Sequence, residues 1–139
     1  MDLHVKEYAC FFENLRADDG IEHYKNIFVK DAIFEDPFQR VQGIEAIYKV
    51  FEHMFTSLQE SKFKVLEIVC GENIAYLKWE FIFYRDAQYS SFEGVSRVVF
   101  DENQKVLSHI DYWDAAQNVY EKIPLLGSVL RYIKGKISA

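Results

Sequence analysis

The sequence predicts an α+β domain, with three helices packed on one face of a curved antiparallel sheet. Three observations predict it: apolar residues recur at helical spacing in the first half, strand-like runs take over in the second, and short polar turns divide those runs. The helices all precede the long strands, and that segregation separates α+β from an alternating α/β chain.

From Val5 to Leu15 the apolar positions 5, 8, 9, 12 and 15 predict an amphipathic helix with Phe12 on its buried stripe. Asp18-Asp19-Gly20 ends it. A shorter helix is expected at Ile21 to Phe28, then a strand from Ala32 to Asp36 that Pro37 stops or moves to an edge. Gly43-Ile44-Glu45 opens a third helix whose apolar positions 44, 47, 48, 51, 54, 55 and 58 cover one broad face. Phe63 to Cys70, Ile74 to Arg85, Ser91 to Asp101 and Lys105 to Trp113 suit strands, joined by Gly71-Glu72-Asn73, Asp86-Ala87-Gln88 and Asp101-Glu102-Asn103. The last stretch, EKIPLLGSVLRYIKGKISA, sets Leu125, Leu126, Val129, Leu130 and Ile133 on one side and Lys122, Arg131, Lys134 and Lys136 largely elsewhere. It reads as a basic amphipathic helix, so residues 1–114 are expected to form the domain and 115–139 a tail packed on it or on a second subunit. Contact of that tail with an anionic membrane surface is the lesser alternative.

A chain of 139 residues that is half apolar can bury one core without metals or disulfides. Its net charge of -6 argues against general nucleic-acid binding, which needs a basic surface to displace counterions. Cys10 and Cys70 lie far apart with no second ligand at metal spacing, which suggests neither a zinc site nor a disulfide scaffold and points to a reducing cytoplasm. Asp2, Lys6 and Glu7 interrupt the first apolar residues, so neither a signal peptide nor a membrane span is expected there. The aromatic share is 17%, with twelve Phe and nine Tyr, more ring than a core of this size normally requires.

Strand parity draws some of those rings towards polar residues. Phe34 and Asp36 share a face, as do Trp79, Phe81 and Phe83, and as do His109, Asp111 and Trp113. If the concave face carries Trp79, Phe81 and Trp113, then His109 and Asp111 open into the same aromatic space. A carboxylate among rings is poorly solvated, which raises its pKa towards the range useful to a base or acid. Each reading has a plainer competitor. An Asp before Pro is often a turn residue bonded to local amides, His109 and Asp111 could lie on the outer face, the rings could be simple core, and Asp114 could cap the tail helix.

The stretch DDGIEHYKNIFVKDAIFEDP, residues 18–37, followed by Gly43 at the start of the third helix and by the strand order, resembles a known family. It is the cone-shaped α+β family of nuclear transport factor 2, the ketosteroid isomerases and the SnoaL-type polyketide cyclases. The resemblance runs over roughly residues 5–114 and implies an NTF2-like fold, a cystatin-like α+β barrel, and a two-fold dimer. It places Asp36 where the isomerases hold their general base, and Asp111 nearest the late-strand acid of the cyclases. It also places Phe12, Phe28 and Phe51 where the isomerases have tyrosines, and Ser96 where they have a protonated aspartic acid. Losing one oxyanion donor costs about two to three orders of magnitude in rate, so efficient steroid isomerisation is not expected.

The resulting expectation is a small hydrophobic ligand held by Phe12, Phe28, Phe34, Phe51, Trp79, Phe81, Ser96 and Trp113. In an enzyme, Asp36 would abstract a proton, His109 or Ser96 would support the oxygen that gains charge, and Asp111 would orient or shuttle, as in an isomerase, cyclase or dehydratase. No metal or organic cofactor is implied. The alternatives are a non-catalytic carrier, favoured by the Phe substitutions, and a protein-interaction subunit.

Overall fold

The computed structural model describes residues 2–16, 19–85 and 87–114. Helix α1 spans Leu3–Glu13 and α2 Ile21–Ile27; strand β1 spans Phe28–Glu35 and β2 Arg40–Gln42; α3 spans Ile44–Ser57. Four strands follow: β3 Gln59–Cys70, β4 Ile74–Arg85, β5 Gln88–Phe100 and β6 Val106–Tyr112. The three helices pack on a curved sheet of six strands in the order β2-β1-β6-β5-β4-β3. The tail helix expected over 115–139, and with it the division at residue 114, lies outside the described residues.

Strands β3 to β6 form the expected antiparallel meander. The sheet as a whole is mixed, however, because β6 also pairs parallel with β1. It is also open, with β2 and β3 as its edges, where the resemblance implied a barrel. Strand β1 begins four residues earlier than its apolar run, directly at the end of α2. Exposed Lys30 and Asp31 read as loop in the sequence, but they occupy a register irregularity between Phe28 and Ile33 that the strand passes through. Beyond Pro37 the chain turns back and adds the short β2 against β1.

Gly43 makes the next turn possible. Its φ of +100° is open to glycine and strained for other residues, and its N–H donates to Ala32 O at 2.8 Å, which ties the start of α3 to β1. From that anchor α3 lays Ile47, Phe51 and Phe55 on the concave face of the sheet. Opposite them β4 presents Ala75, Leu77, Trp79, Phe81 and Phe83, and β5 presents Phe92, Gly94, Ser96, Val98 and Phe100. The core is thus a ring-on-ring packing of phenylalanines, with Phe12 and Phe63 centred 4.3 Å apart and Phe34 and Phe51 5.0 Å apart.

Candidate functional site

A chain of polar side chains runs through this aromatic core. It follows from register: Ser96 on β5 lies directly opposite Asp111 on β6, and Val98 opposite His109, so both β6 residues face inward. Its directions are fixed from one end. The indole N–H of Trp79 can only donate, and it donates to Ser96 Oγ at 2.7 Å. The Ser96 hydroxyl proton is therefore free for Asp111 Oδ1 at 2.5 Å. The same oxygen accepts from His109 Nε2 at 2.6 Å. That leaves His109 Nδ1 facing the Tyr8 hydroxyl at 2.6 Å.

Burial, and after it the Asp111 charge and then Tyr24, pushes the Tyr8 phenol well above its ordinary value, so Tyr8 keeps its proton and has it to donate to a bare Nδ1. Trp79, Ser96, His109 and Tyr8 thus form two arms that both end on Asp111 Oδ1. The other carboxylate oxygen, Oδ2, takes part in none of these bonds. Asp111 is 8% exposed, whereas His109 is 1% exposed and sealed by Phe12 and Phe34, whose ring centroids lie 5.0 and 5.2 Å from the imidazole.

Asp36 reaches the same place from the other side. In the parallel ladder Phe34 pairs with His109 and Glu35 with Ile110, so Asp36, the residue after β1, continues that register towards Asp111, whose charge it feels. It is also a turn residue: its Oδ1 accepts from the backbone N–H of Phe38 at 2.8 Å and of Gln39 at 3.0 Å, and its Oδ2 from Gln39 Nε2 at 3.2 Å. Burial raises the Asp36 pKa, the Asp111 charge adds to the rise, and those turn bonds oppose it. The turn carries Phe38 onto Trp113, 5.1 Å between centroids, and Trp113 lies 4.7 Å from Phe92.

The structure therefore gathers Asp36, His109, Asp111 and Ser96 at one locus. It puts Phe34 and Phe12 against the imidazole, Trp79 at the far end of the chain and Trp113 between Phe38 and Phe92. Phe28 and Phe51 sit one layer behind: Phe28 touches Tyr8, and Phe51 touches Phe12 and Phe34. Phe81 lies further along β4 against Phe63, Phe83 and Phe92. His109 and Ser96 have both been drawn inward, and neither has an N–H or O–H left for a ligand. Two surface clefts, of about 330 Å³ beside the β5–β6 turn and about 750 Å³ at the start of α3, lie away from this locus. Among the described residues no cluster of His, Cys, Asp and Glu is placed to hold a metal ion. No helix among them is long and apolar enough to cross a membrane.

Sequence reasoning missed Tyr8, Phe38 and Phe92. Tyr8 was legible in one respect: it stands four residues before Phe12, on the same helical face, and a tyrosine in an otherwise apolar stripe needs a partner for its hydroxyl.

The family profile of the SnoaL-like domain matches residues 9–109. No curated protein matches the sequence. Among solved structures, one named for a SnoaL-like polyketide cyclase from Jannaschia sp. CCS1 is 14% identical, with a TM-score of 0.73 over 84% of this chain and 89% of that one. A hypothetical protein with a ketosteroid isomerase-like fold from Catenulispora acidiphila DSM 44928, in complex with trimethylamine, is 9% identical with a TM-score of 0.71 over 86% and 91%. TerC, co-crystallised with polyporic acid, is 13% identical with a TM-score of 0.68 over 82% and 91%. At such identities the likeness establishes the fold.

Proposed function

The chain belongs to the SnoaL-like domain family, and we propose that it binds a small, largely apolar molecule at the Asp36–Asp111 mouth and moves a proton on it without a cofactor. The observation that supports this reading is the β1–β6 register, which runs through Phe34–His109 and Glu35–Ile110 towards Asp36 and Asp111. Neighbouring carboxyl groups resist being charged together, so one holds its proton while the other serves as acceptor. Asp36 is the member pushed upward, and in its acid form it supplies a donor at the mouth. Asp111 takes the substrate proton on Oδ2, while Ser96 and His109 hold Oδ1 in place. These roles exchange those that the isomerase resemblance implies for Asp36. Isomerisation, cyclisation and dehydration share this first step.

Relatives named for a cyclase or crystallised with small organic molecules support a ligand of this kind. The exposed free cysteines suit a reducing cytoplasm. A homodimer formed through the outer face of the sheet completes the reading, since Tyr76, Leu107 and Tyr112 stand exposed there.

A native mass spectrum of gently purified protein identifies any retained molecule, whose chemical class is then assayed with wild type and Asp111→Asn. The expected result is an adduct on both proteins and a loss of turnover of about 100-fold or more in the variant. Equal turnover in the two overturns the assignment of the base. The second reading, a carrier, is favoured by the phenylalanines at 12, 28 and 51, which leave an apolar wall. It predicts binding that survives both Asp36→Asn and Asp111→Asn with no conversion at all.

A further inference from the structure

We propose that Tyr8 is a positioning residue: its phenol proton occupies Nδ1 of His109 and so holds the imidazole neutral, with its single N–H committed to Asp111. This rests on the reading of Asp111 as the base.

An imidazole beside a carboxylate can serve it in two ways. A neutral ring donates one hydrogen bond and leaves the carboxylate its negative charge. A ring protonated on both nitrogens forms an ion pair with it, and a carboxylate neutralised in that way is a poor base. Here the first outcome is favoured from the far side of the ring. The Tyr8 hydroxyl lies 2.6 Å from Nδ1, and that phenol keeps its proton, so it is placed to donate to a bare Nδ1.

The groups facing His109 are few. From α1 comes Tyr8, with Phe12 stacked on the ring; from β1 comes Phe34, with Asp36 two residues further on. From β5 come the register partner Val98 and Ser96, and on its own strand stands Asp111. Neither Lys nor Arg takes part in these contacts. Tyr8 itself is held by Phe11, Phe12, Phe28 and Phe100, so packing aims its hydroxyl. This is a device for a buried site, because in water a ring nitrogen would find a proton without help.

The test uses full-length protein labelled with nitrogen-15, and reads the two His109 ring nitrogens by NMR as pH varies. Wild type is expected to show hydrogen on Nε2 and a bare, hydrogen-bonded Nδ1 at neutral pH. In Tyr8→Phe, which keeps the packed ring, Nδ1 loses that donor and gains a proton more readily than in wild type as pH falls. Tyr24→Phe, which removes another buried phenol, leaves His109 as in wild type. With the ligand class in hand, turnover by Tyr8→Phe falls about 10-fold near pH 6 and returns towards wild type near pH 8, a profile that mere loss of packing would not give. A wild-type ring with its hydrogen on Nδ1 overturns the proposal even if the variant fails to fold. So does a Tyr8→Phe ring that behaves as in wild type. A wild-type ring as expected, together with full activity in Asp111→Asn, overturns instead the assignment of the base.

Discussion

Gly94 lies directly opposite Trp79 in the β4–β5 ladder, and the indole occupies the space that a side chain at 94 would need. A Cβ there would meet the Trp79 six-membered ring at 2.5 Å and the Trp113 Cβ at 3.1 Å. The missing side chain lets the indole lean across the ladder to Ser96, so a glycine without polar atoms helps orient the chain that ends on Asp111.

Gly94→Ala is therefore expected to destabilise the protein by about 1–3 kcal/mol, read as a shift in the urea midpoint at unchanged slope. Phenylalanine lacks the indole atoms that clash, so Gly94→Ala in a Trp79→Phe background should cost clearly less. Equal effects in the two backgrounds would show that the indole is not what fills the space.

Ser96→Ala removes an acceptor from Trp79 and a donor from Asp111 at once. Leaving buried partners unsatisfied costs about 1–3 kcal/mol each, so the loss should exceed that of an ordinary surface serine. Exchange of the Trp79 indole proton with solvent should also accelerate, and an unchanged exchange rate would argue against the hydrogen bond.

Asp36 makes stability depend on pH with a definite sign. Its folded-state pKa lies above the ordinary 3.8, so the folded form holds this proton more tightly than the unfolded form. The contribution is full below the unfolded value and is lost as pH rises through the folded one. Above that window the charged carboxylate is the strained form. Asp36→Asn keeps an oxygen for the Phe38 and Gln39 amides and removes the charge. The wild-type stability minus that of the variant should fall across this window and then level off, whereas a difference that rises with pH would contradict the structure.

Strand β3 is an edge, and the Glu13 side chain of α1 accepts the Val65 N–H at 2.9 Å. Glu13→Ala should expose that amide. Its hydrogen exchange should quicken roughly fivefold, equivalent to about 1 kcal/mol, with little change at strand centres.

The helices and the meander were legible because each rests on local periodicity: the 44, 47, 48, 51, 54 and 55 stripe of α3 needs no distant partner to be recognised. Pairing of β1 with β6 was not legible, since nothing in IFEDP names a strand more than seventy residues downstream as its neighbour. The site divided along the same line. Parity correctly put His109 and Asp111 on the concave face with Trp79. That their donors would be committed to one another depended on register between strands, and that Tyr8 would complete them depended on how α1 lies over the sheet. Asp36 satisfies both of its readings, as a turn residue bonded to local amides and as a carboxyl group at the mouth.

Strand β6 alone joins the β2–β1 pair to the β5–β4–β3 meander, and it is the last strand described. The contact between Tyr8 and His109 closes a span of 101 positions. Loop-closure entropy of that size is lost before the contact forms, which places the site late in folding, after the local hairpins. A chain shortened ahead of Val106 would keep all three helices and the antiparallel hairpins, yet its sheet would fall into two unconnected pieces and Tyr8 would face no imidazole. The chemistry of the site thus doubles as a record of whether β6 has joined the sheet.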